Sequence, residues 1–219
     1  MYSNAFYTEQ YHYYTKYTTG GFAMKVQVIV GSTRQGRVTD RVAKWVVKQA
    51  ETMEGVQIEI VDLADYDLPM FDMPVSPKYD PNYAPNEAAQ KFLDKLTEGE
   101  AYVFVTPEYN HSIPGSLKNA LDYVSHQFKH KVATVVSHGS VGGARAAEQL
   151  KLILLECGLA VIPPAVAFVG MLMMEPTIEE NGELQEDVKA NPYGPQTALA
   201  NALTDLQWHS DALTAAREQ

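Results

Sequence analysis

Short apolar runs alternate along this chain with longer stretches in which apolar residues recur every third or fourth position. These are the periods of buried strands and one-sided helices. Residues 25–30 form the first strand, and Val38, Val42, Trp45, Val46 and Ala50 fall on one stripe of a helix over 38–51 that Gly55 closes. A second strand is predicted over 56–61. Asn86 then caps a helix carrying Ala89, Phe92, Leu93 and Leu96, which stops near Gly99. A third strand over 101–106 leads to a helix over 116–126, striped by Leu117, Ala120, Leu121 and Val124. A fourth strand over 132–136 precedes a helix through Ala146, Leu150, Ile153, Leu154 and Cys157 to a stop at Gly158. A fifth, over 159–162, is predicted to end before Pro163 and Pro164, and residues 168–174 read equally as an extended edge or a packed loop. The last helix starts near Pro195 and carries Ala198, Leu199, Leu203, Leu206 and Leu213.

Short, wholly apolar strands alternating with helices predict an α/β domain: a doubly wound, five-stranded parallel sheet with helices on both faces. Its pocket is expected at the carboxyl ends of the strands. Two regions stand outside that pattern. Residues 1–23 carry Tyr2, Tyr7, Tyr11, Tyr13, Tyr14 and Tyr17 among small polar residues, and Met24 directly precedes the first strand. They read as a variable or appended leader, or as an arm packed on a partner, before a single domain over 24–219. The connection after Asp62 runs through Pro69, Met70, Phe71, Met73, Pro74, Pro77, Pro81 and Pro85. It is too long for a tight turn and too apolar in its first half for a simple linker, so it is expected to cover a pocket or a subunit surface.

Composition narrows the function. A chain of 219 residues, 46 % hydrophobic, can fill one sizeable core, and a formal net charge of −10 opposes non-specific binding to nucleic acid or an anionic membrane. No run of about 18 apolar residues is present to span a bilayer, and no secretory signal precedes the first strand. The single cysteine, Cys157, sits in an apolar helical run and reads as a buried thiol in a reducing, cytoplasmic setting. Any redox chemistry must then come from a cofactor.

Three polar loops follow strands one, three and four. The first, Gly31-Ser32-Thr33-Arg34-Gln35-Gly36-Arg37, joins a strand to a helix N-terminus, where free amides, the helix dipole, hydroxyls and arginines suit a phosphate. It lacks both the three-glycine dinucleotide fingerprint that Asp62 would otherwise complement and the Gly-Lys-Ser/Thr of triphosphate loops. Glu108, His111, His126, His130 and His138 have no metal-ligand spacing, and Ser112 and Ser137 have no nucleophile triad pattern. No metal and no hydrolase is expected.

The first loop, the block from Pro107 to Asp122 (PEYNHSIPGSLKNALD) and the stretch from Gly139 to Arg145 together resemble the NADPH-dependent FMN reductase family over roughly residues 24–164. The resemblance implies a flavodoxin-like fold with strand order 2-1-3-4-5, bound FMN, NADPH or NADH as electron donor, and a homodimer or homotetramer. It further implies two-electron reduction of a flavin, quinone or related small-molecule acceptor. Residue by residue, Ser32, Arg34, Arg37 and Thr39 resemble the phosphate-binding positions, although many relatives carry serine in place of Arg37. Pro107, Glu108, Tyr109 and Asn110 resemble the loop against the isoalloxazine ring, and Ser137, Gly139, Gly142 and Gly143 the second edge of its slot, with His138 a less usual occupant. No amino acid is assigned a catalytic role, since solvent can supply the proton. Asn119 and Asp122 read as capping, surface or interface groups, and Met171, Met173 and Met174 as core or subunit packing. The rival reading is a flavodoxin-like electron carrier or FMN sensor without nicotinamide turnover.

Overall fold

The computed structural model describes residues 24–80, 83, 86–170 and 177–218; the leader, Pro81, Pro85, Met171, Met173 and Met174 lie outside the described residues. Strands β1 (Met24–Val30), β2 (Val56–Asp62), β3 (Ala101–Pro107), β4 (Val132–Gly139) and β5 (Ala160–Val169) alternate with helices α1 (Thr39–Ala50), α2 (Glu87–Thr97), α3 (Gly115–Asp122) and α4 (Ala144–Glu156). A short α5 (Glu186–Ala190) and a long α6 (Pro195–Arg217) follow. All pairings are parallel and the sheet order is β2-β1-β3-β4-β5, as the resemblance implied.

Strand alternation divides the core. Val26, Val28 and Val30 of β1 and Val103 and Val105 of β3 point to one face, where Trp45 of α1 and Leu199, Leu203 and Leu206 of α6 cover them. Ile29, Tyr102 and Phe104 point to the other, against Phe92 of α2, Leu117 of α3 and Leu150 of α4. Fully burying an aliphatic or aromatic side chain of this size contributes about 1.5–3 kcal/mol, so both helix layers contribute to holding the sheet.

Four features differ from the sequence expectation. The helix predicted over 116–126 stops at Asp122, because the next residues turn to the long connection: Tyr123 OH donates to Pro69 O at 2.8 Å and Ser125 Oγ to Pro77 O at 2.7 Å. β4 runs on through Ser137 and His138 to Gly139, which puts two candidate site residues in the sheet itself. β5 passes through Pro163 and Pro164 instead of ending before them. It is an edge strand, and its register moves from Ala133↔Val161 to Val135↔Ala165, so a bulge absorbs both prolines where missing N–H groups cost no ladder bonds. The short α5 and the bridge between Ile178 and Leu184 carried no recognisable period.

The long connection lies across its own domain. Asn119 fastens it from α3, accepting from Phe71 N and donating to Pro69 O, both at 2.8 Å, and Phe71 and Tyr123 meet edge-on.

Candidate functional site

The loop after β1 starts with a close approach. Gly31 N donates to Val105 O at 2.9 Å, and a β-carbon at Gly31 would stand 2.9 Å from both that oxygen and Leu117 Cδ2, so no larger residue fits. Ser32 is buried; its Oγ lies 2.8 Å from Tyr109 OH and accepts from Arg34 N at 3.3 Å. Thr33, Arg34, Gln35 and Gly36 are exposed above it. The N-cap of α1 is Val38, which offers no side-chain acceptor; Arg41 N donates to Val38 O at 3.1 Å, which leaves the Thr39 and Asp40 amides and the helix dipole to face an anion.

The two arginines of this loop have different surroundings. The Arg34 guanidinium lies 5.9 Å from the centroid of the Tyr109 ring and, among the described residues, has no carboxylate partner. Arg37 forms a half-buried ion pair with Asp62, whose other oxygen accepts from Ala64 N at 2.9 Å. The Arg37 charge is therefore neutralised inside the fold. Thr39, the first residue of α1, is fully buried with Oγ1 3.0 Å from His138 Nε2. Burial pushes the His138 imidazole down to about 4, so it is neutral at physiological pH.

After β3 the chain makes a two-residue hairpin. Tyr109 and Ser112 exchange backbone hydrogen bonds at 2.9 and 3.0 Å, and the residues between them, Asn110 and His111, have φ of 50° and 67°. Two consecutive positive φ angles define a type I′ turn, which suits Asn110 but costs His111 about 1–2 kcal/mol, since that position favours glycine. The turn is held from α4: Gln149 Nε2 donates to His111 O at 3.0 Å and Arg145 Nη1 to His111 Nε2 at 2.7 Å. Ser112 Oγ adds a bond to Gln149 Oε1 at 2.6 Å. Pro107 ends β3 opposite His138, and Glu108 N donates to His138 O at 3.1 Å. The Glu108 carboxylate turns away from the crevice. It pairs with Arg145 and accepts the Arg145 and Ala146 amides at 3.1 and 3.4 Å, capping α4 from a distance. The Arg145 guanidinium beside it holds its carboxyl below the usual range.

After β4 the chain closes tightly over residues 139–143. Ser137 Oγ donates inward to Gly142 O at 2.7 Å, and Gly142 N donates to Gly139 O at 2.9 Å. Gly143 has φ 71°, and a β-carbon there would meet His138 N, His138 O and Ser137 Cβ at 2.9 Å, so only glycine closes this turn.

The structure thus brings Ser32, Arg34, Tyr109 and Asn110 to one rim, with Thr39, Pro107 and the 139–143 turn beside them. It engages Arg37, Glu108 and the Ser137 hydroxyl in contacts within the fold. Arg145 stood in a recognised motif without a role, and Gln149 carried no signal at all; both brace the hairpin. Next to the first loop, a cleft of about 440 Å³ opens between Thr33, residues 63–68, Ser116 and Asn119.

A five-stranded parallel sheet of this order, with a polar crevice at its carboxyl ends, is a doubly wound, flavodoxin-like fold. Residues 24–171 match the NADPH-dependent FMN reductase family, and the chain belongs to that family. It is 33 % identical over 172 residues to an NAD(P)H-dependent FMN reductase of Schizosaccharomyces pombe, covering 76 % of this chain and 86 % of that one. A quinone reductase of Pseudomonas putida is 29 % identical over 77 % of this chain and 87 % of its own. The solved structure of FerB, a flavoenzyme NAD(P)H:(acceptor) oxidoreductase from Paracoccus denitrificans, superposes with a TM-score of 0.66 at 24 % identity, covering 86 % of this chain and 98 % of that one, a likeness of fold.

Proposed function

We propose that this protein is an NAD(P)H-dependent FMN oxidoreductase that delivers two electrons to a flavin, quinone or related small acceptor, and that the crevice described above holds the FMN. The observation that carries the reading is the rim where an arginine with no carboxylate partner among the described residues, a buried serine hydroxyl and a helix N-terminus without a side-chain cap meet the Tyr109 hairpin. FMN has an anionic end and a planar polar end, and both halves of the rim fit it. The cradle at Gly143 that a β-carbon would fill supports the same fit.

In this reading Arg34 and the free amides at the start of α1 hold the phosphate, with the buried Ser32 and Thr39 hydroxyls bracing the loop beneath it against Tyr109 and His138. Tyr109, Asn110 and the 139–143 turn border the ring. Arg37 tethers the loop to Asp62, and Glu108 tethers the hairpin to α4. When bound, FMN supplies the redox chemistry, taking a hydride equivalent from the nicotinamide and passing two electrons to the acceptor. No side chain needs to move a proton in that cycle. Glu108 is paired and held ionised, His138 is buried and neutral, and burial pushes the Cys157 thiol up to about 11, so it stays protonated.

The reading extends to a single flavin-binding unit over 24–219, a homodimer or homotetramer, and a cytoplasmic setting. The α6 contribution to the core supports the first of these. Among the described residues no helix is long and apolar enough to cross a membrane. The test is anaerobic absorbance spectroscopy after FMN loading. NADPH or NADH should bleach the flavin and a quinone should restore it; a retained flavin that neither nicotinamide bleaches would instead identify an electron carrier.

A further inference from the structure

Arg145 stands where its charge is locally unfavourable. It is the second residue of α4, in the first turn, where the helix dipole favours an anion and opposes a cation. The N-cap of α4 is Gly143, so this turn follows directly on the 139–143 loop at one side of the crevice. From there Arg145 reaches the hairpin on the other side at two points. Its guanidinium pairs with Glu108, whose side chain is 6 % exposed and also accepts the Arg145 amide at 3.1 Å. Its Nη1 lies 2.7 Å from His111 Nε2. A guanidinium has no acceptor atom, so the direction of that contact is fixed: Arg145 donates, Nε2 accepts, and the imidazole carries its proton on Nδ1. Glu108 and His111 flank Tyr109 and Asn110, the two hairpin residues at the rim.

The hairpin needs such a hold. At φ 67° His111 occupies a left-handed conformation that glycine adopts freely and histidine does not, and Asn110 and His111 are both exposed, with little packing to keep them in place. We propose that Arg145 is a positioning residue for the flavin ring: it fixes the gap between the Tyr109 hairpin and the 139–143 turn and keeps Asn110 and His111 in their strained turn at the edge of that gap. This deepens the placement of the isoalloxazine ring given above and rests on it. A cation that its own helix disfavours is thereby retained for a contact across the crevice. Arg34 grips one end of the ligand, and Arg145 shapes the slot for the other.

The test measures dissociation constants for FMN and for riboflavin, which shares the ring and lacks the phosphate, in the wild-type chain, Arg145→Met, His111→Gly and the double variant. Arg145→Met should weaken both flavins by the same factor, about tenfold, leaving the preference for FMN over riboflavin as in the wild type. His111→Gly removes the strain that the clamp opposes. It should recover about threefold or more of that loss in the Arg145→Met background and improve binding less, or not at all, in the wild type. A loss confined to FMN would assign Arg145 to the phosphate and overturn the inference, as would unchanged affinity for both flavins or no recovery in the double variant. Should Arg145→Met fail to fold, Arg145→Lys decides by the same comparisons. A lysine keeps a point charge beside Glu108 but lacks the planar fork that holds Glu108 and His111 together, so both flavins should again weaken equally and His111→Gly should again restore binding. A wild-type chain that takes up no FMN defeats the parent reading as well. A wild-type chain that binds FMN, with an Arg145→Met chain that binds it equally well, defeats this inference alone.

Discussion

The two ends of the sheet are made from the same five strands and differ in how completely they satisfy their polar groups. At the amino ends charge is answered within the chain. Lys25 and Lys95 both pair with Glu59 and Glu98, Arg217 at the end of α6 pairs with Glu100, and the buried Lys131 ammonium donates to Thr97 O at 2.8 Å. Hydrogen bonds from Lys25 and Lys95 hold the Glu98 carboxyl down at about 2. At the carboxyl ends Arg34 has no carboxylate partner among the described residues, α1 and α3 start without side-chain caps, and Asn110 and His111 occupy a strained turn. An edge that satisfies itself serves stability. An edge held rigid with its donors facing outward serves a ligand, and rigidity there comes from secondary contacts such as Glu108 on α4.

The sharpest way to break this contrast is at Gly143, where backbone geometry and site coincide. Gly143→Ala should destabilise the protein by about 3 kcal/mol, combining a left-handed conformation with contacts to the His138 backbone, as measured by urea unfolding. A variant as stable as wild type would mean the turn is looser than its packing implies.

The pH dependence separates the two ends. His138 binds a proton at about 4 when folded against 6.5 in the unfolded chain, so protonation favours unfolding. Its contribution is complete above pH 6.5 and is lost as pH falls to about 4, a change of about 3 kcal/mol that His138→Gln should abolish. Glu59 and Glu98, with carboxyls lowered from 4.5, act in a different window: their stabilisation is complete above 4.5 and is lost only as pH falls further. Unfolding curves across both windows in the two proteins would separate these contributions.

Within the first loop, Arg34→Ala should weaken FMN binding by roughly 10- to 100-fold with little change in unfolding, the effect of losing a charge-assisted bond. Arg37→Ala should do the reverse, lowering stability by about 1–2 kcal/mol by stranding half-buried Asp62 while affecting FMN less than Arg34→Ala. Calorimetric titration beside urea unfolding would show whether the two arginines divide in this way. At the amino end, Arg217→Ala should cost under about 1 kcal/mol and leave FMN affinity unchanged.

Hydrophobic patterning carried most of this fold, since the three inner strands read as short apolar runs and the helices beside them as 3.6-residue stripes. The sequence reading failed where tertiary position overrules local pattern. Pro163 and Pro164 stop a central strand but not a bulged edge strand, and edge status is unreadable from β5 itself. Val124 continues the stripe of α3, yet bonds from Tyr123 and Ser125 to the long connection end that helix earlier. In the first loop, hydroxyls, glycines and arginines suggest a phosphate site, but not which arginine lacks a carboxylate partner. That depends on Asp62, 25 residues along the chain. The capping of α4 by Glu108 across 37 residues was equally hidden.

The most direct measurement is a crystal structure of the protein loaded with FMN. The phosphate is expected against Arg34, the loop at Ser32 and the start of α1, with the ring between the Tyr109 hairpin and the 139–143 turn. A phosphate bound elsewhere, or a ring remote from that hairpin, would contradict it.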